Sequence, residues 1–131
     1  MKGYAANTSQ GAVRNYNEDR VSIILNIMQP KEYKGQLRWP ASSFFAVYDG
    51  HGGTPCADYL RDKLHQFVVK DKNFPGNPKQ AIVDGFARAE QEFQRIAVNN
   101  GQVVVKSGSC AVVALIVGNP VPLIPRSLIH R

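Results

Sequence analysis

The chain has 131 residues, of which 44% are hydrophobic and 20% charged, and its formal net charge is +6 at pH 7. That length suits a single domain, and the composition excludes a disordered chain. Its 16 Lys and Arg residues are scattered rather than clustered with aromatics, so no nucleic-acid surface is expected and the charge reads as a solvated surface favourable to anionic substrates.

Cys56 and Cys110 lie far apart and read as reduced thiols. No basic-then-apolar leader is present at the start, and Met1-Lys2 is not a myristoylation start. The apolar stretch from Val21 to Met28 is too short to span a membrane. A cytoplasmic or nuclear location with no membrane partner is therefore expected.

In chain order, the first landmark is the polar stretch from Gln10 to Arg20, which leads into a predicted strand at Val21-Ser22-Ile23-Ile24-Leu25. Glu18 and Asp19 then stand at a strand entrance. Neighbours in a strand point to opposite faces, so at most one would face a given site directly. Gln29 to Pro40, with prolines, a glycine and basic residues, reads as an exposed connection. Phe44-Phe45-Ala46-Val47-Tyr48 is an apolar run suited to a sheet interior, and it is expected to feed a glycine-rich turn at Asp49-Gly50-His51-Gly52-Gly53.

Thr54-Pro55 reads as an N-cap followed by proline in the first turn, opening a helix with its apolar stripe at Ala57, Leu60, Leu64, Phe67 and Val68. Asn77-Pro78 repeats that signature. A second stripe follows at Ile82, Phe86, Ala89, Phe93 and Ile96, closed by Asn99-Asn100-Gly101. The two helices should pack antiparallel over one sheet face. Gln102 to Val105 reads as a short strand and Ser107-Gly108-Ser109-Cys110 as a small-residue turn. Ala111 to Val117 reads as a strand buried on both faces. Residues 119–131 hold Pro120, Pro122 and Pro125 and cannot form a central strand.

Asp49 on a rigid strand end can bind a hard cation, and His51 can carry a proton near neutral pH. Taken alone, Asp-Gly-His-Gly-Gly also fits a plain turn with a surface histidine. Glu18, Asp19, Asp49 and the Gly50 carbonyl are all oxygen donors, a set for Mg²⁺ or Mn²⁺ rather than Zn²⁺. Two such cations roughly 4 Å apart are an apparatus for phosphoester hydrolysis. Arg14 would offer a guanidinium fork to phosphate, and His51 would protonate the leaving oxygen.

Gln10-Gly11-x-x-Arg14 with Glu18-Asp19, then Val47-Tyr48-Asp49-Gly50-His51-Gly52-Gly53, then Ser107-Gly108-Ser109-x-Ala111 resembles the start of the metal-dependent protein serine/threonine phosphatases, the protein phosphatase 2C or PPM family. The resemblance runs from about Tyr4 to Gly118. It implies an α+β fold, here the N-terminal portion (1–118) of a β-sandwich flanked by helices, and phosphoprotein substrates. It implies that Arg14 binds substrate phosphate and His51 is the general acid. Asp49 would bridge two Mg²⁺ or Mn²⁺ ions, Gly50 would give its carbonyl, and Glu18 and Asp19 would serve the metals directly or through water.

Asn17 stands where the family often has Met, and Cys110 where it often has Thr. The family domain is about twice as long and supplies further metal-binding aspartates, whereas no Asp or Glu follows Glu92 in this chain. The proline-rich 119–131 tail is unlike the family, and the chain reads as truncated. The functional expectation is a metal-dependent serine/threonine phosphatase, and the alternative is a non-catalytic, pseudophosphatase-like binding module. A third reading, a nucleotide-binding protein, is weak because Gly50 to Gly53 lack the Gly-Lys-Ser/Thr of a P-loop. The charge-free Ala111–Val117 run is expected to leave an exposed edge that self-associates, and a lysine at Val113 is expected to break that pairing.

Overall fold

A computed structural model describes residues 3–119. In chain order the elements are β1 (Arg20–Ile24), β2 (Ser42–His51), α1 (Pro55–Val69), α2 (Pro78–Ala97), β3 (Val98–Asn99), β4 (Gln102–Val103) and β5 (Gly108–Val117). β1, β2 and β5 make one antiparallel sheet with β2 in the centre, and β3 and β4 pair as a separate short hairpin. The proline-rich tail, apart from Asn119, lies outside the described residues.

β2 alternates strictly. Ser42, Phe44, Ala46, Tyr48 and Gly50 are buried toward the helix pair, while Phe45, Val47, Asp49 and His51 belong to the opposite face. Phe44, Ala46 and Tyr48 form the floor of a core roofed by Ala57, Leu64 and Val68 of α1 and by Ala81 and Ala89 of α2. Tyr48 is fully buried, and its hydroxyl lies 3.2 Å from the Ser22 hydroxyl across the β1–β2 ladder. The helices pack tightly at Gly85, where an added Cβ would come within 2.7 Å of Val68 Cγ2 and 3.1 Å of the Val68 backbone. Small residues on α2 thus set the inner stripe. Ile82 and Phe86 are only partly buried, and Ile96 of the expected stripe is exposed.

Several sequence expectations are corrected. β2 does not stop before Asp49. It runs on through His51 because its ladder with β5 continues to His51↔Gly108, and the turn begins at Gly52 and Gly53, both with positive φ. The same ladder takes Gly108, Ser109 and Cys110 into β5, where a turn was expected. Asn99-Asn100-Gly101 does not close α2. It forms the β3–β4 hairpin, with Asn100 at φ 49° and Gly101 at φ 76°, as a tight hairpin turn requires.

Thr54 precedes α1 as expected but makes no capping hydrogen bond, whereas Asn77 accepts from the Gln80 amide as a true cap of α2. The 29–40 connection is not wholly exposed. Trp39 packs against Tyr33 and Phe74, and its indole N–H donates to the Ile27 carbonyl at 2.9 Å.

β5 is not buried on both faces. Among the described residues it is an edge strand, and Val112 (76% exposed) and Ile116 (55%) stand on the face away from the helices. Ala111, Val113, Leu115 and Val117 point toward the helices but are only partly buried. An apolar cavity of about 660 Å³ opens there, between Leu60, Phe86, Phe93 and Ala111. Val113, opposite Ala46 on the helix side, is therefore the wrong strand position for a charge, and Val112 is the outward one. Both cysteines are free. Among the described residues no helix is long and apolar enough to cross a membrane.

Candidate functional site

The Asn17–Asp19 segment does not extend β1. Asn17 folds it by accepting the Asp19 amide on Oδ1 at 2.9 Å, and β1 begins only at Arg20. Glu18 and Asp19 are thereby freed from strand alternation, and both line one polar cavity of about 210 Å³ with Arg14, Asp49, Gly50, Ser9, Gln10 and Tyr16. Arg20 fixes this segment from behind. Its Nε donates to Asp58 of α1 at 2.7 Å, and one guanidinium nitrogen donates to the Asn17 and Asp19 carbonyls at 2.9 and 2.8 Å. Burial works against the Asp58 charge. Hydrogen bonds from Arg20 and Thr54, with the nearby charges of Arg20 and Arg61, outweigh it and hold the carboxyl below its usual range.

Gly50 is required by close approach. A Cβ there would collide with the Glu18 carbonyl oxygen and lie 3.2 Å from Ala57 Cβ. Glycine lets β2 pass between the Glu18 backbone and the first turn of α1, which brings Asp49 to the cavity that Asp19 lines. Glu18 itself is only 8% exposed, and its two oxygens are engaged. Oε1 accepts the Gly53 amide, and Oε2 lies 3.4 Å from an Arg14 guanidinium nitrogen. Arg14 is 73% exposed, so this long ion pair is weak and the fork remains free to turn to an anion.

Of the six site residues expected from sequence, five surround one cavity: Arg14, Glu18, Asp19, Asp49 and Gly50. His51 stands apart. It is two residues along β2 from Asp49, on the same uncovered face, with its ring beside Gly108 of β5. Sequence reasoning missed Arg20, which sits next to the acidic pair but acts backward onto α1, and Asn17, whose Asn-x-Asp spacing was a legible turn signal.

The donors open to a cation are the Asp19 and Asp49 carboxylates and the Gly50 carbonyl, all oxygen, which suits Mg²⁺ or Mn²⁺. Glu18 fits that set less well, since its carboxylate already holds the Gly53 amide. Among the described residues no group of three or more His, Cys, Asp or Glu is placed to hold a metal ion.

The sequence profile of the family described as Protein phosphatase 2C matches residues 6–124. A relative from Caenorhabditis elegans named Probable protein phosphatase 2C T23F11.1 is 44% identical over 78 residues, 59% of this chain and 21% of that protein. Probable protein phosphatase 2C 27 of Arabidopsis thaliana is 37% identical over 76 residues, 58% of this chain and 19% of that protein. Protein spalten of Dictyostelium discoideum is 36% identical over 111 residues, 84% of this chain and 11% of that protein. The matched segment covers no more than about a fifth of each of these three relatives.

Proposed function

Because the chain belongs to the protein phosphatase 2C family, we propose that it carries part of the active site of a metal-dependent phosphatase acting on phosphoserine and phosphothreonine in proteins. The observation that supports this most is the single polar cavity in which Arg14, Asp19, Asp49 and Gly50 meet. Asp19, Asp49 and the Gly50 carbonyl would hold Mg²⁺ or Mn²⁺, with Glu18 beside them. Such cations, when bound, supply Lewis-acid charge to phosphoryl oxygens and acidify water.

Arg14 would leave Glu18 and take phosphoryl oxygens on its guanidinium fork, a stronger bidentate pairing than its present 3.4 Å contact. His51 would give an imidazole proton to the departing serine or threonine oxygen. Asp19 and Asp49 leave the cavity acidic, so an unaccompanied phosphate would be repelled and a bound cation must mediate.

A second reading, a binding module without turnover, is favoured by the lack of a three-residue metal group among the described residues. One experiment separates the two. The purified 131-residue chain is incubated with a phosphothreonine peptide and Mn²⁺, and both phosphate release and peptide binding are measured. Mn²⁺-dependent release that Asp49→Ala and EDTA abolish supports catalysis. Binding without release, lost in Arg14→Ala, supports the module. Mn²⁺ binding itself should be weak and absent in Asp49→Ala. Calorimetry showing two tightly held ions per chain would overturn the ligand set of Asp19, Asp49 and Gly50.

A further inference from the structure

Ser107, Gly108 and Ser109 have no direct part in the chemistry above, yet each touches a different piece of the Asp49–Cys56 segment. The Ser109 hydroxyl lies within donating distance of two carbonyls, that of Asp49 at 3.2 Å and that of Cys110 at 3.0 Å. The Ser107 hydroxyl accepts the Cys56 amide at 3.1 Å, capping the first turn of α1 in place of Thr54. Gly52, at φ 69°, turns tightly enough that a Cβ there would lie 3.3 Å from the Lys106 carbonyl oxygen.

Gly108 lies directly opposite His51 in the β2–β5 register. The three atoms nearest to a Cβ built on Gly108 all belong to the His51 imidazole: Nε2, in collision, with Cε1 at 2.9 Å and Cδ2 at 3.2 Å. Missing side-chain volume at 108 is thus occupied by the His51 ring. His51 is exposed, on the face of β2 away from the helices.

We propose that Gly108 is a positioning residue for His51, and that the Ser107–Ser109 segment is the brace that sets the imidazole relative to Asp49. The segment grips the strand at the Asp49 carbonyl and the following helix at Cys56, while the side-chain-free Gly108 gives the ring its berth on β5. The importance of this placement for proton transfer rests on the general-acid role proposed for His51, but the placement itself does not. A general acid must lie within hydrogen-bond reach of the oxygen it protonates, so a ring pushed off β5 would lose that reach.

The test reads ring position, not turnover. In the 131-residue chain, kept dilute and free of metal, proton NMR of the imidazoles is recorded, with His51→Gln assigning the His51 signals. The wild-type chain should show a nuclear Overhauser contact between the His51 ring protons and the Gly108 α-protons. Gly108→Ala should shift the His51 ring signals and leave those of His65, on the sheet side of α1, unmoved. No such contact in the wild-type chain, or His51 signals unchanged by Gly108→Ala, overturns the proposal.

If Gly108→Ala does not fold, the double variant Gly108→Ala/His51→Ala decides. Recovery of the fold means that the ring alone opposed the methyl group and supports the proposal. Continued failure means a general backbone role for Gly108 and overturns it. An inactive chain that passes these tests leaves the positioning intact and counts only against the phosphatase reading.

Discussion

Glu18 gives the sharpest test because its two possible roles predict opposite signs. If it serves only as a cation ligand, then in EDTA it is a third carboxylate beside Asp19 and Asp49. Glu18→Ala would then relieve repulsion and stabilise the fold. The structure instead shows a nearly buried carboxylate accepting the Gly53 amide at the turn between β2 and α1. A hydrogen bond to a charged group contributes about 1.5–3 kcal/mol, and the alanine variant loses it and leaves the Gly53 N–H without its partner. The Arg14 contact adds little, since Arg14 is largely solvated.

Glu18→Ala should therefore lose about 2 kcal/mol in EDTA. Glu18→Gln keeps a neutral acceptor and should lose roughly half as much, since charge-assisted bonds are about twice as strong as neutral ones. For a urea slope near 2 kcal/mol/M, the alanine loss moves the midpoint down by about 1 M. Urea unfolding of dilute chain, followed by far-ultraviolet circular dichroism, reads this directly. An unchanged or raised midpoint for Glu18→Ala would refute the clamp and leave Glu18 as a ligand alone.

Gly85→Ala should destabilise by about 1–3 kcal/mol despite the better helix propensity of alanine, because the new methyl meets the Val68 backbone, and a thermal melt equal to wild type would contradict that packing. Val112→Lys should change stability by less than about 0.5 kcal/mol while reducing association in sedimentation velocity, whereas Val113→Lys should cost about 1–3 kcal/mol, since it turns a charge toward the helix side. Equal association of wild type and Val112→Lys would rule out the β5 face as the sticky surface.

Burial beside Phe44 pushes the His65 imidazole below its usual pKa, outweighing the nearby Asp62 charge and the Arg61 backbone. Below about pH 6.5 the unfolded chain takes up a proton that the folded chain resists, so this site favours folding above that pH and the benefit fades as pH falls. The melting temperature should drop from about pH 7.5 to 5.5, and the drop should shrink in His65→Phe. An identical drop in the variant would place the acid sensitivity elsewhere.

The family and the helix pair were legible in the sequence, because they rest on local rules. Asn77-Pro78 announced α2, the apolar periodicity announced both helices, and Asp49-Gly50-His51 with Arg14 and Glu18-Asp19 carried the family resemblance. What the sequence could not decide was set by pairing between distant segments. The end of β2 was misplaced because glycines favour turns locally, yet the ladder to β5, some 60 residues on, holds Asp49 to His51 in strand geometry.

The same ladder assigned Val112 outward and Val113 inward. In an unbroken apolar run that parity is invisible, and one residue of register reverses every side chain. Glu18 and Asp19 looked like strand neighbours on opposite faces. They share a cavity only because Asn17 folds the backbone ahead of β1 and Arg20 ties it to Asp58 of α1. Ser107 to Ser109 read as a turn, and their grip on Asp49, His51 and Cys56 exists only once β5 lies against β2. Local propensity wrote the elements and the reactive groups, and long-range strand pairing decided which of them meet.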